Sequence, residues 1–218
     1  MLLLWRTHAA VRSHSHRKRS FMTLPSFSLP SLGRQYKDTQ IFPYRREQIF
    51  DVVADVDRYS EFVPMCVGST VFHNTRRSEK ASICLPGADS PRRMVDREMV
   101  QAELLVGYPP FRERYVSQVV LERPWRIIAT SAAGNGMFKY MKTVWEFSEQ
   151  QMVGSSASAG RFMLDNGRNN CAQTLVRFSI EYEFASMLHA QAANLVFDRM
   201  AKSNLAAYLD RCQKLYGA

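Results

Sequence analysis

Alternating and helical runs of apolar residues divide this chain into strands, two short helical segments and a long terminal helix. The clearest alternation lies in residues 175–184, where Val176, Phe178, Ile180, Tyr182 and Phe184 share one face. Such alternation predicts a strand with one buried face. Similar patterns predict strands near residues 37–43, 66–73, 97–106, 111–121, 125–132 and 137–147.

Helical spacing appears at two places. Ile49, Phe50, Val53 and Val56 form an amphipathic stripe, which predicts a helix followed by a short helical turn ending at Pro64. Near the end of the chain, apolar residues recur every three or four positions from Ser186 to about residue 216. At ~1.5 Å per residue, the second helix is roughly 43 Å long, which is enough to cross a whole sheet.

The order of these elements predicts an α+β fold of the helix-grip type. A curved antiparallel sheet of about seven strands is expected to wrap around the long C-terminal helix. Two polar segments interrupt the pattern: residues 74–96 carry Pro86-Gly87 and Pro91, and residues 150–170 are rich in Ser, Gly and Asn. This composition predicts mobile loops in the domain, which is expected to span residues 36–218.

Basic residues are concentrated at the start of the chain. The 218 residues have a formal net charge of +9, with 29 basic and 20 acidic side chains. Seven of the basic residues and none of the acidic ones precede Asp38, so 22 basic and 20 acidic side chains remain in the rest. Residues 1–35 are rich in Arg, Ser and His, as in a removable mitochondrial presequence. A disordered basic tail that binds an acidic partner is the alternative.

The remaining residue types favour a binding protein over an enzyme or a metalloprotein. Cys66, Cys84, Cys171 and Cys212 are scattered singly, with no CxxC pair and no histidine at ligand spacing. His73 and His189 lie at the ends of predicted elements, away from the apolar inward faces. We therefore expect no metal and no cofactor. The nearly balanced charge beyond residue 37 also speaks against nucleic-acid binding.

Inward-facing apolar residues are the candidate walls of a tunnel between sheet and helix. The strand candidates are uncharged, and the helix candidates include a small residue that leaves room for a ligand. They are Leu104, Val106, Tyr115, Val119, Met141, Trp145, Phe178 and Tyr182 on the strands, and Phe197, Met200, Ala201 and Tyr208 on the helix.

A hairpin tip with two prolines is the candidate membrane contact. Tyr108, Pro109, Pro110 and Phe111 stand between two predicted strands, and Arg112 follows directly. Apolar side chains at such a tip can enter the headgroup region while the guanidinium group meets anionic lipid. An ordinary hairpin that packs its Phe inward is the alternative.

Four stretches resemble the mitochondrial coenzyme Q-binding family of the START-like superfamily. They are DVVADVDRYSEFVPMCVGS at 51–69, AELLVGYPPFRERYVS at 102–117, FKYMKTVWEF at 138–147 and LVFDRMAKSNLAAYLDRCQKLYG at 195–217. The resemblance covers roughly residues 41–217. Met65 departs from it, because the family pattern has a Trp there, and Arg45 replaces a small capping residue.

This resemblance implies a lipid chaperone. Its bound ligand would be ubiquinone or a late polyprenyl precursor, held between sheet and helix at the matrix face of the mitochondrial inner membrane. The protein would be peripheral to that membrane, would support ubiquinone synthesis and respiratory electron transport, and could meet ubiquinone-synthesis proteins. A cyclase-like enzyme of the same fold and a ribosome-associated module remain as alternatives.

Overall fold

The computed structural model describes residues 32–84, 92–108, 111–131, 138–149 and 173–217, and the side chains of Tyr108, Phe111, His189 and residues 191–202 lie outside this description. Seven strands and three α-helices account for most of these residues. They are β1 (Gly33–Phe42), α1 (Arg46–Ala54), α2 (Tyr59–Phe62), β2 (Cys66–Ile83), β3 (Arg93–Tyr108), β4 (Phe111–Glu122), β5 (Arg126–Ser131), β6 (Phe138–Glu149), β7 (Thr174–Phe184) and α3 (Met187–Tyr216).

The strands form one antiparallel sheet in the order β1-β7-β6-β5-β4-β3-β2. From β2 to β7 each strand pairs with the next along the chain, and β1 joins the far edge beside β7. The predicted helix-grip fold, a curved seven-stranded sheet with a long C-terminal helix, is confirmed. The predicted inward face of β7 is also observed, because Val176, Phe178, Tyr182 and Phe184 are all buried.

Helix α3 and the short helices cover the concave face of the sheet. The apolar stripe of α1 is buried, and Phe50 packs edge-on against Phe147 of β6 with ring centroids 5.9 Å apart. The end of α3 is tied to the segment before α1, where the Tyr44 hydroxyl donates to the Gly217 carbonyl at 2.7 Å. These contacts hold the helices against the sheet.

The prediction of a loop over residues 74–96 is wrong for most of that segment. Strand β2 extends to Ile83 and β3 begins at Arg93, so this part of the polar stretch is a ribbon of paired strands with a bulge between Phe72 and Arg77. Residues 85–91 of the predicted loop lie outside the described residues. Residues 76–80 are all exposed, so they show no apolar alternation. Cross-strand ion pairs replace it, including Lys80 with Asp96.

The start of the folded domain lies slightly earlier in the chain than predicted. Strand β1 begins at Gly33, three residues inside the segment assigned to the leader, and it pairs with the end of β7. Its first residues were missed because an edge strand that is polar on both faces has no periodic signal. Residues 1–31 and the predicted loop at 150–170 lie outside the described residues.

Candidate functional site

A cavity of about 190 Å³ lies between the sheet and helix α3. Eight of the twelve side chains predicted to face a tunnel lie on its wall. They are Leu104, Val106, Tyr115, Val119, Met141, Trp145, Phe178 and Tyr208. The structure thus brings together residues from four strands and the long helix that are up to 104 positions apart in the chain.

The other four predicted residues are placed differently or are not described. Tyr182 is buried but is not among the described lining residues. The rings of Phe138 and Phe184 pack on it at 6.1 Å and 5.0 Å, and both of these rings line the cavity themselves. Aromatic packing therefore fills the space that Tyr182 was predicted to reach. The side chains of Phe197, Met200 and Ala201 lie outside the described part of α3.

Several lining residues were not predicted from the sequence. They are Val56, Tyr59, Val63, Pro64, Cys66, Ala102, Ser117, Ile127, Ala129, Phe138, Thr143, Ile180, Phe184 and Asn204. For many of them the signal was present, because Ala102, Ser117 and Thr143 stand on the same strand faces as predicted lining residues. Small and hydroxylated side chains give little apolar signal in a sequence, although a cavity needs such side chains in its wall to leave space.

Small side chains at the centre of the sheet create this space. Ala102, Ser117, Ala129 and Thr143 lie on four adjacent strands, β3 to β6, and all line the cavity. The sheet register places Ala102 opposite Ser117 and Ala129 opposite Thr143. A close-packed interior would put larger residues here. The missing side-chain volume at these positions therefore forms the hollow.

Aromatic rings close one end of the cavity. Trp145 packs on Phe178 with ring centroids 4.5 Å apart. Tyr208 of α3 contacts Trp145, Tyr59 and Phe62 at 4.6, 5.6 and 5.2 Å. These contacts join helix α3, helix α2 and the sheet, so this end of the cavity is lined by packed aromatic rings.

The described lining residues include no Asp, Glu, His, Lys or Arg. Burial is the largest cause that raises the pKa of Tyr59, Tyr115 and Tyr208 above the ordinary value, and it also raises the pKa of the Cys66 thiol. The Tyr59 hydroxyl donates to the Val53 carbonyl at 2.5 Å. These lining groups therefore stay neutral at physiological pH, and the cavity presents apolar surface with a few neutral hydroxyl and amide groups.

The other end of the cavity approaches the hairpin that joins β3 to β4. Tyr108 pairs with Phe111 across the two-residue connection, whereas Pro109 and Pro110 lie outside the described residues. Arg112 is exposed, and Val106, which lies two residues before Tyr108, lines the cavity. The predicted tip thus lies directly next to the cavity wall.

The turn before β2 packs against this hairpin. The Gly107 amide donates to the Met65 carbonyl at 2.9 Å, and Met65 has a left-handed backbone with φ of 61°. A side chain at position 107 would clash with Val67, because its Cβ would lie 2.8 Å from Val67 Cγ1. Val67 is itself 46% exposed, so this surface carries an apolar residue in addition to those predicted at the tip.

No helix in the described part of the chain has the length and hydropathy needed to cross a membrane.

A family model described as polyketide cyclase / dehydrase and lipid transport matches residues 42–208. This match covers α1, α2, strands β2 to β7 and most of helix α3, and it includes every described residue that lines the cavity.

Two curated relatives match most of the chain. Coenzyme Q-binding protein COQ10 homolog B, mitochondrial, from Xenopus laevis is 30% identical over 91% of this chain, and the match spans 66% of that protein's length. The ribosome association toxin RatA from Pseudomonas aeruginosa is 24% identical over 81% of this chain and 94% of its own. Among solved structures, an 18 kDa protein from Caulobacter crescentus has a TM-score of 0.54 and 26% identity, covering 85% of this chain and 99% of its own.

Proposed function

Because the chain belongs to the polyketide cyclase / dehydrase and lipid transport family and, within it, to the mitochondrial coenzyme Q-binding, START-like group, we propose that it binds ubiquinone or a polyprenyl precursor in the cavity under helix α3. It acts as a lipid chaperone that supports ubiquinone synthesis and respiratory electron transport at the matrix face of the mitochondrial inner membrane. The observation that carries this proposal is that the described lining residues of the cavity carry no charge.

The size of the cavity suits a ring with a short stretch of tail. About 190 Å³ is less than the roughly 300–1,000 Å³ of pockets that enclose drug-sized ligands. A complete polyprenyl chain therefore extends beyond the described walls. The Trp145–Tyr208 contact closes one end of the cavity, whereas Val106 lies in the wall at the hairpin end. The tail would therefore leave the cavity beside the hairpin.

An apolar wall also suits reversible exchange with a membrane. Isoprenoid surface that moves from lipid to these side chains stays in an apolar environment, so the free-energy change of transfer is small. A carrier needs this balance, because a ligand that is held too strongly is not delivered. Ubiquinone-synthesis proteins are the partners that such a carrier would serve.

The lining gives little support for acid–base catalysis. A general acid or base needs a pKa near the working pH, whereas burial raises the pKa of the lining tyrosines above ordinary values. The described lining residues also include no carboxylate or imidazole. We therefore propose binding rather than cyclisation, with no cofactor besides the bound quinone.

Peripheral membrane contact is assigned to the hairpin and the turn packed against it. Tyr108, Pro109, Pro110 and Phe111 supply apolar residues by sequence, Val67 adds exposed apolar surface, and Arg112 supplies a charge for anionic lipid. This surface adjoins the cavity wall at Val106. A quinone could therefore pass between membrane and cavity with little exposure to water.

A ribosome-associated role is the second candidate, favoured by the similarity to RatA over 94% of that protein's length. Binding to RNA needs basic side chains that displace counterions from phosphate. The 22 basic and 20 acidic residues after Lys37 provide little net charge for this purpose. We rank this role below quinone binding.

Organic extraction of the purified protein tests the proposal. The full chain is produced in cells that make ubiquinone, purified without detergent and extracted, and quinone is quantified per mole of protein. We expect nearly stoichiometric quinone from the wild type. Folded wild-type protein that contains no quinone, and takes up none from vesicles, would refute the proposal.

Two variants on strand β5 supply the matched comparison. Ala129→Phe fills the hollow and is expected to lower bound quinone at least tenfold, since Ala129 lines the cavity. Thr130→Phe adds a ring at the next residue, whose side chain points to the opposite face, and should retain quinone. Equal loss from both variants would show an effect on folding and not on the cavity.

A further inference from the structure

One polar atom in the cavity wall has no partner. Ser117 of β4 is 3% exposed and lines the cavity, and its Oγ has no hydrogen-bond partner among the described residues. A buried hydroxyl without a partner destabilises the folded protein, because it has lost its hydrogen bonds to water. Buried polar side chains in proteins nearly always have a partner, so an unpartnered hydroxyl in a cavity wall points to a missing ligand atom.

Ser131, the serine on the neighbouring strand, differs from Ser117 in that its hydroxyl has a hydrogen-bond partner. Ser131 of β5 lies directly opposite Ser117 in the sheet and is similarly buried, at 4% exposed. Its hydroxyl donates to the Met141 carbonyl at 3.4 Å, and it is not among the described lining residues. On the other side, Ser117 pairs with Ala102, which offers no polar side-chain atom. Of these two paired serines, only Ser117 lines the cavity and has a hydroxyl without a hydrogen-bond partner among the described residues.

The residues around Ser117 indicate which kind of ligand group could bind its hydroxyl. Tyr115 and Val119, two residues away on either side, are buried on the same face of β4 and line the same cavity. No charged residue is among the described lining residues, so none of these residues offers a counter-charge to an ionic ligand group. A neutral oxygen attached to an apolar ring suits this position.

We propose that the Ser117 hydroxyl is the polar anchor of the ligand ring and donates a hydrogen bond to a ring carbonyl of the quinone. This inference rests on the proposed function and adds the residue that fixes the ring. A serine hydroxyl has one donor hydrogen and two acceptor lone pairs. It can therefore donate to a quinone carbonyl and accept from the hydroxyl of the reduced ring, so the same side chain serves both redox states.

Binding measurements on four versions of the full chain test the anchor. Ubiquinone-2 and a prenylbenzene with the same tail but no ring oxygens are titrated into the wild type and the Ser117→Ala, Ser117→Thr and Ser131→Ala variants. Quinone binding is followed by quenching of tryptophan fluorescence, because Trp145 lines the cavity. Prenylbenzene binding is followed by its competition with the quinone.

Ser117→Ala is expected to weaken ubiquinone-2 binding about three- to tenfold, as for the loss of one hydrogen bond, and to leave prenylbenzene binding within about twofold. Ser117→Thr keeps the hydroxyl and should retain quinone affinity, and Ser131→Ala should retain it as well. The ligand-free Ser117→Ala protein should be at least as stable as the wild type, since it no longer buries an unpaired hydroxyl.

Unchanged quinone affinity in Ser117→Ala, or equal loss of both ligands, would overturn the anchor and leave the proposed function intact. A wild type that binds no quinone would overturn both. Infrared spectra of the wild-type complex provide a test that does not depend on folding of a variant. The hydrogen-bonded carbonyl should absorb at lower frequency than the same quinone in an alkane, and an unshifted band would also refute the anchor.

Discussion

Trp145 of β6 and Tyr208 of α3 lie with their ring centroids 4.6 Å apart, and this contact joins the sheet to the long helix at one end of the cavity. Both side chains are buried, at 4% and 2% exposed. The contact makes the helix part of the cavity wall, so the position of the helix determines how much space the cavity has.

Removing the Tyr208 ring should destabilise the protein strongly. Tyr208→Ala deletes ring contacts to Trp145, Tyr59 and Phe62 and leaves a void, so the free energy of unfolding should fall by about 3–5 kcal/mol. Tyr216→Ala, at a residue that is 41% exposed on the same helix, should cost less than about 1 kcal/mol. Urea unfolding curves measure both, and similar losses would contradict the role of Tyr208.

Membrane binding should depend on Val67. Val67→Asp removes half-exposed apolar surface beside the hairpin and adds a negative charge, so partition into vesicles that contain anionic lipid should fall at least about fivefold. Vesicle sedimentation measures this partition.

Met94→Asp is the control for Val67. Met94 is 69% exposed but lies near the opposite end of β3, about 40 Å along the strand from Val106. Met94→Asp should therefore leave sedimentation of the protein with vesicles unchanged. If both variants lost vesicle binding equally, the membrane contact would not lie at the hairpin.

The Glu122 carboxylate should be essential for stability. It is 1% exposed and accepts hydrogen bonds from Arg97 Nε and Nη2 at 2.9 and 2.7 Å and from Arg126 Nε at 2.7 Å. Glu122→Ala leaves two guanidinium groups without their shared partner, and we expect a loss of about 3–5 kcal/mol in urea unfolding. Lys80→Ala breaks the exposed pair with Asp96 and should cost less than about 1 kcal/mol. A larger loss of stability in Lys80→Ala than in Glu122→Ala would contradict the structural role given to Glu122.

Alkaline pH should destabilise the fold through the buried Cys212. Burial raises the pKa of its thiol from the ordinary value of 9.0 to about 12. Between these values the unfolded chain releases the proton and the folded chain retains it. The free energy of unfolding therefore falls as pH rises from about 9 towards 12, by up to about 1.4 kcal/mol per pH unit for this group.

Urea unfolding at pH 8, 9, 10 and 11 measures that dependence. Cys212→Ala should make the decline shallower, whatever its effect on stability at pH 8. Cys84→Ala, at an exposed cysteine, should leave the slope of the wild type unchanged. A wild-type slope that persists in Cys212→Ala would exclude Cys212 as a source of the dependence.

Strong periodicity made most of the sheet and the long helix predictable. The alternation in β7 survives because one face meets the core and the other does not. The ribbon of β2 and β3 was missed because residues 76–80 are exposed and their pairing rests on backbone hydrogen bonds and ion pairs. Backbone hydrogen bonds and surface ion pairs produce no alternation of apolar and polar residues in the sequence.

The cavity was predicted in outline, whereas its details depend on packing. Large inward residues such as Trp145 and Phe178 were identified because apolar side chains on a strand face indicate a buried surface. Tyr182 is predicted to lie in the wall for the same reason, but it packs against two aromatic neighbours that line the cavity and is itself not among the described lining residues. Ser117 was on the correct face in the alternation, yet only the structure shows that its hydroxyl has no partner.

The four small side chains at the centre of the sheet make the capacity of this fold adjustable. Exchange of Ala102 or Ala129 for Val or Leu would shorten the available space by a few carbon atoms at a time, while the backbone register and the surrounding aromatic contacts stay the same. Single substitutions at the sheet centre can therefore change the size of ligand that this cavity admits, without a new fold.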